Sequence, residues 1–204
     1  MRKHTKAWLV LAMLLCALWL LSGCGESAQT AAKKLKVGGI FEFGTFPNDD
    51  EPMAWIVLNV EDGKALLLSE YLIEERRFNE TLVRGMRWPD SDLRATLNED
   101  YAEEIFNEEE RKHLALYQTD TETEDHVFLL NESEFYKYVQ TKDCIGTMKG
   151  DDTAHNWWLR SASGIVYQMH VVGENGAVNN SGYITERRHY VRPAILYSEE
   201  EVPE

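Results

Sequence analysis

Hydrophobic positions along the chain fall into three blocks with different periods. The first is a sheet block. Residues 37–43 form a short apolar strand, and residues 55–60 and 64–69 are apolar runs separated by Glu61-Asp62-Gly63, where Asp-Gly supplies the positive φ that a tight hairpin needs. The unbroken apolar character of residues 65–68 predicts a strand covered on both faces. The middle block has helix signals. Ser91 can cap a helix running through Leu93, Leu97 and Tyr101, and Asn107 with Glu110 has capping-box spacing ahead of a helix over 111–117. Residues 127–130 read as a buried strand, after which Asn131 with Glu134 repeats the capping box for a helix to about Val139. The last block returns to strands at 157–160, 167–172, 177–178, 183–185 and 191–197, with Gly173-Glu174-Asn175-Gly176 as a hairpin turn. The expected fold class is α+β, a single domain of mainly antiparallel sheet with short helices in the middle of the chain.

Ahead of the sheet block the pattern is that of an export signal. Arg2, Lys3 and Lys6 precede an apolar run over residues 7–21, which as a helix spans roughly 22 Å against the roughly 30 Å of a bilayer core. A permanent spanning helix is therefore disfavoured. Leu21-Ser22-Gly23-Cys24 resembles the bacterial lipobox, which implies that Cys24 is thioether-linked to diacylglycerol and becomes the first mature residue; the other reading is a short signal cut near Gly23 with Cys24 left free. Two or three acyl chains, at roughly 0.8 kcal/mol per buried methylene, would hold the protein on a membrane. Residues 25–34 are small and polar and read as a flexible tether, order is expected from near Leu35, and the stretch 198–204 is acidic enough to fray. The resulting organisation is a signal peptide over 1–23, the lipidated cysteine and tether over 24–34, a globular domain over 35–198 and an acidic tail over 199–204. The expected location is the extracytoplasmic face of the cell membrane.

Composition narrows the partners. With 44% apolar and 27% charged residues in 204, the chain is neither a disordered segment nor a collagen or disulfide scaffold. The 21 Lys and Arg against 35 Asp and Glu give a formal charge of −14, and removal of residues 1–23 takes away three cations and no acids. Such a surface repels nucleic acid, so no nucleic-acid partner is expected. Only Cys24 and Cys144 would survive cleavage, and acylation of the first leaves no intrachain disulfide.

The order of several short words resembles a bacterial family, the domain-of-unknown-function family 6273. These are Phe43-Gly44-Thr45-Phe46-Pro47, Glu51-Pro52-Met53-Ala54-Trp55-Ile56-Val57-Leu58, Leu66-Leu67-Leu68-Ser69, Trp88 with Ser91-Asp92-Leu93-Arg94, Phe128-Leu129-Leu130, Trp157-Trp158-Leu159-Arg160-Ser161, and Val191-Arg192-Pro193-Ala194. They cover nearly all of residues 40–197. The resemblance implies a secreted or lipid-anchored protein and carries no assigned activity. A Trp-rich strand before a hairpin and an Arg on the final strand also look like the C-type-lectin-like fold, shared by binding modules and formylglycine-generating enzymes.

Catalytic chemistry finds little purchase. Formylglycine-generating chemistry needs a reactive cysteine pair or thiolate metal site, and Cys144 stands alone beside an acid without an evident base. His113, His126, His155, His170 and His189 never fall at i,i+4, and neither a Gly-x-Ser-x-Gly elbow nor a phosphate-binding Gly-rich loop occurs. No cofactor is expected, although Asp49-Asp50-Glu51 and Asp151-Asp152 are acidic loops able to offer oxygen ligands to calcium. No catalytic residues are assigned. Among the resembling words, Trp88, Trp157 and Trp158 are candidate ligand contacts, because indole faces stack on sugar rings and anchor protein contacts. Adjacent strand positions send Trp157 and Trp158 to opposite faces, so either one face is open or both rings are covered. Arg160 and Arg192 sit in apolar strands and each needs an anion; either they form internal ion pairs, with Asp92 a partner for one, or Arg160 and Ser161 present donors to a ligand in a cleft. The function expected from these features is non-catalytic binding of an envelope glycan or protein; the alternative is an envelope hydrolase whose carboxylates converge only in the fold.

Overall fold

A computed structural model describes residues 35–47, 49 and 51–202. The signal segment, Cys24 and the tether lie outside the described residues, as do Asp50, Pro203 and Glu204. In chain order the strands are β1 (Ile40–Thr45), β2 (Pro52–Glu61), β3 (Lys64–Ser69) and β4 (Glu75–Arg77). Helical segments α1 (Asp92–Thr96), α2 (Ala102–Ile105) and α3 (Glu108–Arg111) follow, the first two joined by a π-helical turn over Leu97–Tyr101. Next come β5 (Leu114–Ala115), β6 (Tyr117–Asp120), β7 (Thr123–Asp125), β8 (Val127–Phe128) and α4 (Glu132–Tyr138). The chain closes with β9 (Gly146–Thr147), β10 (Ala154–His155), β11 (Trp157–Ala162), β12 (Gln168–Val172), β13 (Val178–Ile184), β14 (Arg188–Tyr190) and β15 (Ala194–Ser198).

Two sheets organise these elements. The first has the order β1-β2-β3-β15-β5, with β8 also pairing to β15, and every pairing is antiparallel. The second has the order β13-β12-β11-β14-β4, antiparallel except where Trp157 on β11 registers with Tyr190 on β14. This is the α+β class with short helices in mid-chain that the sequence pattern implies. Among the described residues no helix is long and apolar enough to cross a membrane.

The hairpin β2–β3 closes through Asp62 and Gly63 at φ +50° and +72°, the two positive values a two-residue loop requires. Strand β3 lies between β2 and β15, and its residues 65–68 are buried, as their unbroken hydrophobicity demands. Both capping boxes and the Ser91 cap form. Local patterning fails elsewhere for identifiable reasons. Strand β1 begins late because Gly38, at φ +77°, and Gly39 hold a turn closed by the Gly39 N–H on the Lys36 carbonyl. The helix expected over 111–117 stops at Arg111, since Leu114 and Ala115 find backbone partners on β15. Lys112, just past that helix, pairs with Glu109. The strands expected at 177–178 and 183–185 merge into β13, which accommodates a bulge with Gly182 at φ +71°. The tail does not fray over 199–202: Glu199 N–H donates to the Gly63 carbonyl and Val202 N–H to that of Lys112.

The widened turn after α1 has a local cause. The Asn98 amide donates to the Arg94 carbonyl at 3.1 Å and to the Val127 carbonyl at 2.9 Å, while its oxygen accepts the Val127 N–H. A side chain has entered the helical ladder and tied it to β8. The core fills the space around both sheets, with Trp55, Trp157 and Trp158 completely buried. Truncating any of them to Ala costs about 3–5 kcal/mol.

Candidate functional site

The polar words of the sequence meet around α4. Arg160, on β11, sends its guanidinium to both carboxylate oxygens of Glu134 at 2.5 Å, and donates also to the carbonyls of Leu129 at 2.5 Å and Thr119 at 3.1 Å. The pair is nearly dry, with side-chain exposures of 3% and 11%. Glu134 accepts further bonds from the Asn131 N–H at 2.8 Å and the Tyr117 hydroxyl at 2.9 Å. Burial, reinforced by that carboxylate, pushes the Tyr117 phenol well above its ordinary value, so it is a fixed donor. The next residue, Ser161, accepts the N–H of Glu132 at 2.8 Å and thereby secures the first turn of α4.

This clamp positions two tyrosines. Tyr117 stacks on Phe128 with ring centres 4.4 Å apart and planes 11° from parallel. Tyr138 ends α4, with the Lys137 ammonium 4.6 Å from its ring centre. Both line a groove of about 390 Å³ beside the first sheet, together with Leu66 and Leu196 and the polar side chains Asn59, Glu61, Asp62 and Lys64 of the β2–β3 hairpin. Aromatic and aliphatic surface with a few convergent polar groups is the composition of a small-ligand site. Such a surface offers ring C–H contacts to a sugar and an amide, carboxylates and an ammonium to its hydroxyls.

The candidates singled out in the sequence are otherwise placed in the interior. Trp88, Trp157 and Trp158 are 3%, 0% and 0% exposed, and none presents a face for stacking on a ligand. Trp157 is covered on one side of β11 by Phe135, and Trp158 on the other by Phe78 and His189. Their ring N–H groups are also used, Trp88 on Asp125, Trp157 on the Cys144 carbonyl and Trp158 on the Arg76 carbonyl. Asp92 pairs with neither arginine; its carboxylate accepts the Glu80 N–H at 2.8 Å. Arg160 has Glu134 instead. Arg192 forms no ion pair among the described residues: it donates to the carbonyls of Ser69, Glu70 and Asp143 at 2.9, 3.1 and 2.7 Å and lies 5.1 Å from the Trp157 ring centre. Burial lowers its pKa to about 10, which leaves it charged at neutral pH. Of the residues proposed as ligand contacts, Arg160 and Ser161 adjoin the groove only through α4 and Tyr117.

A second buried node continues the same network. Asp125 accepts from Trp88 Nε1 at 2.8 Å, Arg94 Nε at 2.7 Å and the Thr119 hydroxyl at 2.5 Å, and the Thr119 carbonyl in turn accepts from Arg160. The words around Trp88, Arg94 and Arg160 thus spell one interior hydrogen-bonded frame.

A family model described as Domain of unknown function (DUF6273) matches residues 62–197. The chain belongs to the DUF6273 family. No curated protein and no solved structure matches it. The DUF6273 match begins at the turn of the β2–β3 hairpin, so the words at 43–47 and 51–58 precede it, although β1 and β2 complete the first sheet. The buried frame and both groove tyrosines fall inside the DUF6273 span.

Remaining candidate chemistry is occupied or dispersed. Asp49 and Glu51 of the first acidic loop both pair with Lys149, and Asp151 accepts the Thr153 N–H and hydroxyl. Among the described residues, no group of three or more His, Cys, Asp and Glu side chains could hold a metal ion. Cys144 is half-buried and its thiol is pushed up by desolvation. Sequence reasoning missed Tyr117, Tyr138, Asn59, Glu61, Asp62 and Lys64, since they are gathered from three separate segments and only the capping role of Glu134 carried a local signal.

Proposed function

We propose that the protein is a lipid-anchored, extracytoplasmic and non-catalytic carbohydrate-binding module whose ligand lies in the groove between Tyr117, Tyr138 and the β2–β3 hairpin. The observation that carries this reading is the buried Arg160–Glu134 pair, which fixes the Tyr117 ring and the start of α4 before any ligand arrives. Preorganised aromatic surface binds without the entropic cost of ordering long side chains. Anchoring rests on the lipobox, and a peripheral domain needs only Cys24 for it.

The test is a glycan and peptidoglycan array, run with and without calcium. Retention of a glycan that falls at least tenfold with Tyr138→Ala and with Asn59→Ala is the expected result; no retention, or retention indifferent to both changes, overturns the assignment. The hydrolase alternative would draw on Glu61 and Asp62, the two carboxylates lining this groove. Turnover of a retained glycan, lost in Glu61→Gln, would replace binding with hydrolysis. Metabolic incorporation of an alkyne fatty acid, abolished in Cys24→Ser, tests the anchor.

A further inference from the structure

Away from the groove, at the end of the second sheet, the chain exposes aliphatic and cationic side chains together. The loop between β11 and β12 carries Ile165 and Val166, 50% and 46% exposed, and then Tyr167, whose φ of +69° is a left-handed conformation that side chains other than asparagine and aspartate rarely take. The loop is held in that shape. Ser163 N–H donates to the Gln168 carbonyl, Gln168 N–H to that of Ile165, and Thr185 N–H to that of Tyr167. Backbone strain that the surroundings enforce is a pointer to function. Facing the loop across a cleft of about 170 Å³ are Gly85 and Met86, reached through Leu82 and Val83, which are 48% and 41% exposed. Ile184, registered opposite Gln168, extends the apolar surface, and Gln168, on the cleft wall, keeps a buried side-chain carbonyl that finds no donor among the described residues.

Charge identifies the partner. The segments 82–87, 163–168 and 184–188 contain four Arg against one Glu, in a chain whose formal charge is −14. Arg87 is paired with Asp90, whereas Arg84 and Arg187 contact no carboxylate among the described residues. Arg188 stands opposite Arg77 across the β14–β4 pair, where Arg77 is already paired with Glu80 and Arg188 donates to the Glu75 carbonyl, so the cations left for a partner are Arg84 and Arg187. Exposed aliphatic surface rimmed by uncompensated cations is complementary to an extended segment alternating aliphatic and acidic side chains.

We propose that the cleft between the 82–87 and 163–168 loops is a second binding site, independent of the groove, which docks an acidic, aliphatic peptide segment of a partner protein. Val166 and Ile165 seat the partner's aliphatic side chains, and Arg84 and Arg187 meet its carboxylates.

The test pans a phage library of random twelve-residue peptides against the full-length protein in detergent and measures enriched peptides by fluorescence anisotropy. Enriched sequences should combine Leu, Ile or Val with Asp or Glu. Their affinity should fall at least tenfold with Val166→Asp, Ile165→Asp and Arg84→Glu, all at exposed positions and with thermal melts like wild type, and should be unchanged by Tyr138→Ala. An empty or non-acidic pool, or binding indifferent to all three variants, overturns the proposal. So does binding lost only with Tyr138→Ala, which would assign the peptides to the groove. Binding of anionic lipid vesicles without peptide binding, or self-association in sedimentation that Val166→Asp abolishes, would replace the peptide with a membrane or a second copy of the chain and overturn it equally.

Discussion

Replacing Arg160 by Met tests the frame on which the groove depends. The substitution keeps much of the buried volume but removes four donors, two to Glu134 and one each to the carbonyls of Thr119 and Leu129. Glu134 keeps the Tyr117 hydroxyl and the Asn131 N–H, which do not neutralise a carboxylate in a site this dry. Breaking a buried pair by deleting one partner costs about 3–5 kcal/mol, because the survivor is left charged and desolvated. For a domain of this size about 1 kcal/mol corresponds to roughly 2–4 °C, so the melting temperature should drop by about 10 °C. The assay is equilibrium urea unfolding at neutral pH, with Glu134→Leu and the double variant completing a cycle. The two changes should be less damaging together than their sum by at least about 1.5 kcal/mol, as for groups sharing one network. A single-variant loss below about 1 kcal/mol, or strict additivity, would refute the claim that this ion pair organises the region.

Three further outcomes follow from other parts of the molecule. His189 is wedged edge-on against Trp158 and Tyr183, and burial, aided by Arg187, lowers its pKa to about 4. It therefore stays neutral in the fold while the unfolded chain takes up a proton below about pH 6.5, and stability is lost as pH falls from about 6.5 towards 4; His189→Phe should flatten the melting-temperature profile across that window. Arg192→Lys retains the charge but not the fork that reaches three carbonyls, and should lower stability by about 2 kcal/mol or more in chemical unfolding. Gly44→Ala would place a Cβ 2.8 Å from Ile105 and Phe106 at φ +74°, whereas Gly85→Ala, at φ +70°, meets open space; the first should cost well over the about 1–2 kcal/mol expected of the second.

Where a residue's role is settled by its neighbours in sequence, the pattern is legible. The Asp62-Gly63 turn, the Ser91 cap and the boxes at Asn107 and Asn131 all form because each satisfies backbone groups within three residues. Roles settled by distant partners are not. Arg160 evidently needed an anion, but the choice of Glu134 over Asp92 depends on α4 packing beside β11, which no spacing encodes. Arg192 shows that a buried guanidinium can be satisfied by carbonyls alone. The adjacent tryptophans could not both be core unless each face of β11 was covered, and the cover comes from residues as far apart as Phe78 and Phe135. The groove is least legible, since the hairpin tip, Tyr117 and Tyr138 become neighbours only when the first sheet and α4 are assembled.

The strand that unites the first sheet follows every other strand of that sheet in chain order among the described residues. Residues 194–198 lie between β3 and the short strands β5 and β8, so a growing polypeptide lacks the central plank of that sheet until residue 198 has emerged. Such a chain stays open during synthesis until β15 is available, and that sheet closes in a late step governed by a long-range pairing. A stop codon before residue 194 would leave no partly working remnant, only an incomplete polypeptide exposed to proteolysis.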